Sequence, residues 1–501
     1  MKYLMGIDNG GTFCKAAIFD ETGNQIAASS SPTSAITPKP GYTERDMEEL
    51  WESNAKAIKS CIQKSGIDSR DIIGVSFSGH GKGLYLIDEK HEPAYNGIIS
   101  TDSRAWEYLE KWYADGTNHK VYQKTFQEIL VSQPVSILAW LKDKEPEVLR
   151  KTKYIFHVKD YIRFCLTGEA CAEYTDSTGS NLVNLSTAAY DAELLAYFGL
   201  EDILDKLPVL RRSSDICGHV TQKAAIKTGL PEGIPAAAGM FDINACGIAA
   251  GLSDKDKMCM IAGTWSINEF LSEKPIMDGS VALNSMYCIP GYFLVEESSP
   301  TSAGNMEWFI RNLMDKEEAY YQRPIYDIAN EWVSSVDPGE SNVIFLPFIN
   351  GSNTDPLAKG TFVGLTAYHT KKHMLRAVYE GIVFSHLTHI NKLLKNHPVP
   401  ESIRLAGGVT KSEVWVQMFA DILQLPIDVI EDKEIGAQGA AMVAGIAAGL
   451  YADYEDAIRK TVKISKQVAP RPEYKAIYEE KFNTYCRLIE DLSLCWKRFK
   501  N

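Results

Sequence analysis

Several residues near the amino terminus have the side chains and backbone freedom that phosphate chemistry needs. In MGIDNGGTFCKAAIFD (residues 5–20), a short apolar run ends before Asp8, glycines and Thr12 follow, and Lys15 precedes a second apolar run at 16–19. Bare N–H groups at a glycine such as Gly11 can cradle an anion, and a carboxylate can hold magnesium. The alternative interpretation is an ordinary tight hairpin, since Asn-Gly-Gly is frequent in turns.

The same arrangement recurs in the second half of the chain. In MCMIAGTWSINEFLSE (residues 258–273), Gly263 and Thr264 stand between two apolar runs. Each half is therefore predicted to begin with a hairpin whose tip suits phosphate. A cleft between two such halves would present backbone donors to a polyphosphate from both sides.

A third glycine-rich turn lies in SIRLAGGVTKSEVWVQMFADIL (residues 402–423). The pattern predicts a strand, a turn at Gly407 and Gly408, and a helix with Ser412 as its N-cap. A helix that starts behind two glycines lets a nucleotide approach the backbone, with Lys411 beside it or facing solvent. Neither a Walker A loop nor a G-x-G-x-x-G fingerprint occurs in the chain.

The elements that must position these tips alternate between strand-like and helical patterns, which predicts an α/β fold. The chain is expected to open as a β-meander whose first tip, with Asn9 and two glycines, has positive φ. Helical spacing covers residues 44–66, and the small residues of 434–450 predict a tightly packed buried helix. The polar loop 253–257 is the predicted domain boundary.

The composition excludes several classes of protein. The 501 residues are 45% hydrophobic and 23% charged, with a formal net charge of −13, which argues against a nucleic-acid partner. The first residues lack the apolar core of a signal peptide, and no apolar segment reaches transmembrane length. The 10 cysteines form no Cys-x-x-Cys pair. We therefore expect a cytoplasmic protein without a membrane partner.

Along nearly its whole length the chain resembles the FGGY family of carbohydrate kinases. The matching pieces, in order, are GIDNGGT, KDYIRFCLTGE, GMFDINACG, AGTW and LAGGVTKSEVWVQMFAD. The resemblance implies two actin-like (ribonuclease-H-like) domains with ATP and substrate in the cleft between them. Residues 1–252 would bind the sugar and carry the catalytic base, and residues 253–501 would bind the nucleotide.

The resemblance also implies roles for individual residues. Asp242 corresponds to the catalytic base that accepts the proton of the attacking hydroxyl, with a helix-capping aspartate as the alternative. Asp8 would hold Mg²⁺, directly or through water. The residues assigned to ATP are Gly11, Thr12, Lys15, Gly263, Thr264, Gly407, Gly408 and Lys411.

The sugar site is expected in the first half, because a polyol needs several fixed donors and acceptors. His80 and Lys82 stand between glycines in GHGKG, Asp102 can accept two hydroxyl hydrogen bonds, and Asp242 completes the predicted substrate site. The alternatives are a backbone-bonded turn for His80 and a helix cap for Asp102. Arg104 is expected in a structural ion pair.

A narrower resemblance points to bacterial L-xylulose kinases. It is carried by PGYTERDMEELW, GHGKGLYLID, STDSRA and SPTSAGNMEWF. Lys82 stands where D-xylulose kinases have histidine, and NGSNTDP (residues 350–356) replaces their Gly-Glu-Arg-Thr-Pro. The predicted activity is ATP-dependent phosphorylation of L-xylulose to L-xylulose 5-phosphate.

The sequence leaves several alternatives open. The enzyme could act on another ketose, a sugar acid or a polyol, including D-xylulose, ribulose or glycerol. A different class is an actin-like ATP-driven binding protein. The expected partners are the small-molecule sugar and ATP, and a homodimer is left open. Two histidine pairs have helical spacing, His369 with His373 and His386 with His389, but no specific metal site is expected there because no H-E-x-x-H pattern occurs.

Overall fold

The computed structural model describes residues 1–353, 355, 357–431 and 434–499, which form two compact units. Of these residues, the first unit contains 1–254, 271–295 and 434–462, and the second contains 255–270, 296–431 and 463–499. The predicted boundary at 252/253 lies close to the end of the first segment. Contacts also assign to the first unit two segments from the predicted C-terminal domain. Within NGSNTDP, Thr354 and Pro356 lie outside the described residues.

The strands of the described chain are short and interspersed with helices. They are β1 Tyr3–Asn9, β2 Phe13–Asp20, β3 Gln25–Pro32, β4 Glu44–Arg45, β5 Ile72–Gly79, β6 Tyr85–Asp88, β7 Gly97–Ile98, β8 Thr152–Phe156, β9 Cys171–Glu173, β10 Val183–Asn184, β11 Ala189–Tyr190, β12 Val209–Arg211, β13 Ile216–His219, β14 Pro235–Ala237, β15 Met240–Phe241, β16 Met258–Ala262, β17 Ser266–Ser272, β18 Leu283–Met286, β19 Phe293–Ser299, β20 Ile344–Leu346, β21 Thr361–Val363, β22 Ile403–Ala406, β23 Ile427–Ile430 and β24 Ile464–Val468.

The helices alternate with these strands, as the predicted α/β class requires. They are α1 Met47–Ser65, α2 Trp106–Ala114, α3 Thr117–Thr125, α4 Pro134–Lys144, α5 Pro146–Lys151, α6 Val158–Thr167, α7 Tyr174–Thr178, α8 Ala192–Tyr197, α9 Gln222–Thr228, α10 Asp242–Ala249, α11 Gly304–Leu313, α12 Glu317–Tyr321, α13 Ile325–Ser334, α14 Lys371–Leu393, α15 Glu413–Leu423, α16 Ile435–Ala447, α17 Tyr454–Thr461 and α18 Lys475–Trp496.

The central sheet of the first unit has the order β13-β14-β5-β1-β2-β3, and β15 also pairs with β5. Strands β1, β2 and β3 form the predicted antiparallel meander, and β5 runs parallel to β1. Apolar residues of α1, α6 and α9 join those of the sheet in one buried cluster. The parallel strands place their carboxyl ends at one edge of this sheet.

The predicted positive φ at the first tip is wrong. Neither Asn9, Gly10 nor Gly11 is among the residues with positive φ. The strands are joined by residues 10–12 instead of a two-residue turn, and the N–H of Gly10 donates to the carbonyl of Phe13 over 3.0 Å. Thr12 also has a negative φ, so this loop reverses the chain without any left-handed residue.

The predicted small-residue helix is confirmed as α16, and it packs on the sheet of the first unit. A Cβ atom at Gly6 of β1 would overlap the carbonyl oxygen of Ala437, and one at Gly439 would overlap the carbonyl oxygen of Ala245 in α10. Glycines at these contacts let α16 approach its neighbours at backbone distance.

The predicted helix over 44–66 begins later than its pattern indicates. Asp46 is the N-cap of α1 and accepts the N–H of Glu49 over 2.8 Å. The two preceding residues form β4, which pairs antiparallel with β7. The capping geometry therefore fixes the start of α1 at Met47, three residues into the periodic pattern.

A second mixed sheet has the order β18-β19-β17-β16-β22-β23-β24. The predicted hairpin is present, with β16 antiparallel to β17, and β22 runs parallel to β16. No described helix is long and apolar enough to cross a membrane.

Candidate active site

Strand register brings two carboxylates to one edge of the first unit's sheet. Asp8 of β1 pairs with Ser78 of β5, and Met240 of β15 pairs with the same serine from the other side. Asp242 follows β15 as the first residue of α10. Because β1 and β15 flank one strand, their backbones lie about 10 Å apart at this edge.

The carboxylate of Asp8 is oriented by protein contacts. The hydroxyl of Ser78 donates to Oδ1 of Asp8 over 2.7 Å. The same carboxylate lies against the first turn of α16, where a Cβ at Gly436 would be 2.9 Å from its Cγ. Burial raises the pKa of Asp8, against the opposing effects of the Ser78 hydrogen bond and the charge of Lys15.

Lys15 lies directly across the hairpin from Asp8 in the strand register. Its ammonium group forms an ion pair with Glu434, with Nζ 2.7 Å from Oε2, and both side chains are partly exposed. The backbone of the tip is also tied down, since Arg45 donates to the carbonyl of Gly11 over 2.5 Å. Gly11 and Thr12 themselves are exposed to solvent.

His80 continues from β5 into the glycine-framed loop, and its geometry favours the turn alternative. The ring lies between the hydroxyl of Tyr85, 3.1 Å from Nε2, and the carbonyl of Gly81, 3.2 Å from Nδ1. Burial, with the nearby charge of Arg45, lowers the pKa of His80 to about 3. The ring is therefore neutral near pH 7, donating to the carbonyl through Nδ1 and accepting from the hydroxyl.

Lys82 occupies a strained backbone position in the same loop. Its φ of 65° lies in the left-handed region, which costs a residue with a Cβ atom about 1–3 kcal/mol. The side chain is half-buried and has no hydrogen bond or ion pair with the described residues. A strained, unpaired lysine is typical of a site where a ligand completes the contacts.

The segment that carries Asp242 touches the same loop. The ring of Phe241 packs so closely on Gly81 that a Cβ atom there would overlap it. Asp242 is half-buried in the first turn of α10, where the helix dipole favours its negative charge. The structure thus brings together Asp8, Asp242 and the loop that holds His80 and Lys82.

Asp102 lies in a buried ionic group, and this geometry favours the structural alternative. Its side chain is 1% exposed. It accepts the N–H of Thr43 over 2.6 Å, and the guanidinium of Arg104 bridges it to Glu44 with Nη2–O distances of 2.9 Å and 2.8 Å. The expected ion pair of Arg104 is confirmed.

In the second unit, two of the predicted glycine-containing turns are neighbours. The turn after β16 holds Gly263 and Thr264, and Gly407 follows β22, the strand beside β16. Gly407 has a φ of 100°, and a Cβ atom there would lie 2.6 Å from the carbonyl oxygen of Ala262. Gly304, at the start of α11, lies beside Thr264.

The turn before α15 matches its prediction closely. Gly408–Lys411 form one 3₁₀ turn. Ser412 is the N-cap of α15, accepting the N–H of Trp415 over 3.2 Å, as its sequence position indicates. Lys411, the last residue of this turn, is exposed. This turn lies at the carboxyl end of β22, the strand that pairs with β16.

A cavity of about 680 Å³ lies elsewhere in the first unit. Its walls include Tyr42, Trp140 and Arg104, and the guanidinium of Arg104 lies 4.3 Å from the ring centre of Tyr42. None of the residues predicted to bind sugar or ATP lines it.

The histidine pair of α14 serves packing. His386 lies 2.8 Å from Asn268 and 3.2 Å from Ser302, and His389 lies 2.7 Å from Ser299. Among the described residues no cluster of three potential metal-binding side chains occurs. Both side chains are buried within the second unit.

Comparison with known proteins decides the family. Residues 3–248 match the N-terminal domain of the FGGY family of carbohydrate kinases, and residues 258–448 match its C-terminal domain. The chain belongs to the FGGY family of carbohydrate kinases. It is therefore a sugar phosphotransferase, and the alternative of an actin-like binding protein is set aside.

Similar proteins cover the whole chain. The chain is 38% identical over 494 residues to a probable L-xylulose kinase of Pasteurella multocida, covering 98% of this chain and 99% of that protein. It is 35% identical over 501 residues to the L-xylulose/3-keto-L-gulonate kinase of Escherichia coli, with 100% and 99% covered. A ligand-bound xylulose kinase from Lactobacillus acidophilus superposes with a TM-score of 0.90 at 26% identity, and each chain is fully covered (100%). The predicted two-domain actin-like fold is confirmed.

Sequence reasoning missed residues that support the site without bearing an obvious reactive group. Ser78 orients Asp8, and Arg45 holds the tip at Gly11. Glu434 pairs with Lys15 from a position 419 residues away in the chain. Of these residues, only Ser78 had a sequence signal, since it is a polar residue inside a largely apolar strand.

Proposed function

We propose that this FGGY kinase transfers the γ-phosphoryl group of ATP to a terminal hydroxyl of L-xylulose, giving L-xylulose 5-phosphate. The observation that carries the proposal is the near full-length likeness to proteins named for L-xylulose, at 38% and 35% identity. The half-buried, unpaired Lys82 supports a substrate other than D-xylulose, whose kinases have histidine there.

In the proposed reaction Asp242 accepts the proton of the attacking hydroxyl, and Lys82 and His80 lie where the sugar binds. Base catalysis of this kind supplies about 10²–10⁴-fold in rate. Gly11, Thr12 and Lys15 would contact the phosphates from the first unit. The residues that would bind ATP from the second unit are Gly263, Thr264, Gly407, Gly408 and Lys411.

The donor set at the sheet edge fits a magnesium ion. Mg²⁺ is usually bound by one or two carboxylates together with substrate phosphates and waters. Asp8 offers such a carboxylate, held in place by Ser78. A bound Mg²⁺ would neutralise charge on the phosphates. We place the enzyme in the cytoplasm, as the sequence indicates.

A second candidate substrate is a keto sugar acid. The Escherichia coli relative is named for 3-keto-L-gulonate as well as L-xylulose. The unpaired ammonium group of Lys82 would suit a carboxylate on such a substrate.

A coupled assay of ADP release with L-xylulose, D-xylulose, ribulose, glycerol and 3-keto-L-gulonate tests the proposal. We expect kcat/KM for L-xylulose to exceed that for D-xylulose and glycerol by at least about tenfold, as the loss of one buried hydrogen bond implies. D-xylulose as the best substrate would contradict the L-xylulose assignment, and 3-keto-L-gulonate as the best would favour the second candidate.

A further inference from the structure

A buried ionic cluster of Lys159, Asp160, Glu173 and Asp176 is linked to the strand that precedes Asp242. Lys159 Nζ lies 3.1 Å from Asp160, 3.2 Å from Asp176 and 3.7 Å from Glu173, and none of the four side chains is more than 1% exposed. Burying so many charges costs free energy even when they are paired. A cluster of this kind therefore calls for a role beyond packing.

One branch of the cluster leads through a hydroxyl to the backbone before Asp242. Glu173 caps α7, and its Oε2 accepts the hydroxyl proton of Thr175 over 2.7 Å. A hydroxyl has a single proton, so this donation leaves the oxygen as an acceptor. The N–H of Phe241 donates to that oxygen over 2.9 Å. The buried carboxylate thus sets the direction in which Thr175 accepts.

The same backbone segment is held at two earlier points. Arg163, which lies 2.8 Å from Asp160, donates to the carbonyl of Ala238 over 2.6 Å. The N–H of Gly239 donates to the carbonyl of Ser213 over 3.1 Å, and the hydroxyl of that serine donates to Glu173 over 2.8 Å. Ala238, Gly239 and Phe241 are therefore each linked to the cluster by hydrogen bonds.

We propose that Thr175, oriented by Glu173, is a positioning residue that sets the place of the Asp242 carboxylate through the amide of Phe241. The inference rests on the proposed function, in which Asp242 is the base. In this role Thr175 acts without contacting the substrate. It acts by fixing the peptide unit directly before the base.

The physical reason is the narrow geometry of proton transfer. A general base must lie within hydrogen-bond reach of the proton that it removes. Without the hydroxyl, the buried N–H of Phe241 loses its acceptor, and the peptide unit rotates to find another. A displacement of about 1 Å costs about 10²-fold in rate.

Thr175→Val removes the hydroxyl at nearly constant volume, and Thr175→Ser restores it. We expect Thr175→Val to lower kcat by about 10- to 100-fold while the KM values for ATP and sugar change by less than about threefold. Thr175→Ser should recover most of the lost kcat. If Thr175→Val kept more than about half of wild-type kcat, the inference would be overturned.

Thr178→Val is the matched control in the same short helix. Its hydroxyl is buried, donates to the carbonyl of Tyr174 over 2.6 Å and at longer range to that of Thr175 over 3.3 Å, and accepts the N–H of Met286 over 3.0 Å. None of these hydrogen bonds involves Phe241. An equal loss of kcat in this variant would show a general effect of disturbing α7 and would contradict the positioning role.

A double mutant separates this inference from the proposed function. With Asp242→Asn in place, Thr175→Val should lower kcat by less than about twofold further, since its effect passes through the missing carboxylate. A full further loss would overturn the inference alone. High activity in Asp242→Asn itself would overturn the proposed base. If Thr175→Val does not fold, Thr175→Cys is judged by the same criteria, because a thiol is a weak hydrogen-bonding group.

Discussion

The hydroxyl of Ser78 donates a hydrogen bond to Oδ1 of Asp8 over 2.7 Å, across two neighbouring parallel strands. The bond joins a serine and an aspartate that are 70 residues apart. It fixes the carboxylate at the edge of the sheet, next to the tip that would hold phosphate. The geometry gives a direct test of the magnesium site.

Asp8→Asn removes the charge of this side chain and keeps its shape. We expect the Mg²⁺ concentration for half-maximal activity to rise by at least about tenfold, because a neutral amide is a poor ligand for a hard cation. A magnesium titration of the initial rate measures this. Asp20→Asn, at the far end of β2 with its contacts in the local turn, is the control and should leave the titration unchanged. An unchanged requirement in Asp8→Asn would contradict the assignment.

Asp242→Asn should leave both ligands bound and lower kcat by about two to four orders of magnitude, since it removes the base but not the shape. Steady-state rates at saturating substrate, together with calorimetric binding of sugar, separate the two effects. Asp46→Asn is a suitable control because asparagine caps a helix as well as aspartate does. Turnover above about a tenth of wild type would refute the base.

Gly407 and Gly408 are neighbours with opposite tolerance for a side chain. Gly407→Ala should lower the free energy of unfolding by about 1–3 kcal/mol, because its φ is positive and a Cβ atom meets the carbonyl of Ala262. At Gly408 a Cβ atom meets no protein atom within 4 Å. Gly408→Ala should therefore keep wild-type stability and raise the KM for ATP. Unchanged ATP kinetics in this variant would place the nucleotide elsewhere.

Substitutions at Lys82 and Asp102 should have different effects, because Lys82 is proposed to contact the sugar and Asp102 has structural contacts. Lys82→Gln should reduce the preference for L-xylulose over D-xylulose by about tenfold at unchanged Tm, as one charged hydrogen bond implies. Asp102→Asn should instead lower Tm, because Arg104 loses part of its buried partner set. Specificity ratios and thermal melts of both variants decide this, with exposed Lys90→Gln as control. If Asp102→Asn changed the sugar ranking at wild-type Tm, the original prediction for Asp102 would be supported.

Acid should destabilise the protein partly through His386. Burial lowers the pKa of His386 to about 3. In the unfolded chain this histidine binds a proton below a pH of about 6.5, whereas in the folded protein it stays neutral down to about pH 3. The free energy of unfolding therefore falls as the pH falls through this range, by up to about 1.4 kcal/mol per pH unit. Urea unfolding between pH 7 and pH 4 should show a smaller pH slope in His386→Asn than in wild type. The exposed His219→Asn is the control, and equal slopes in all three would contradict the prediction.

Local patterns were sufficient for much of this protein. The hairpins at the two tips, the N-cap of α15 and the small-residue helix α16 follow from apolar runs, turn residues and capping residues that are close together in the chain. Each is decided by neighbours within a few residues, so the sequence predicts it. The family resemblance added the roles of Asp8 and Asp242, which remain proposals for the variants above.

Tertiary structure decided what each polar side chain contacts. A strand pattern carries no information about which distant residue it will face, so the sequence could not show Lys15 beside Glu434 or Thr175 beneath Phe241. For the same reason the sequence predicted Asp102 as a sugar ligand, whereas in the structure its carboxylate is buried and contacts Thr43 and Arg104. Sequence by itself determined which elements form and which residue types are present. Only packing decided which of them are free to meet a ligand, because burial and partners arise between segments far apart in the chain.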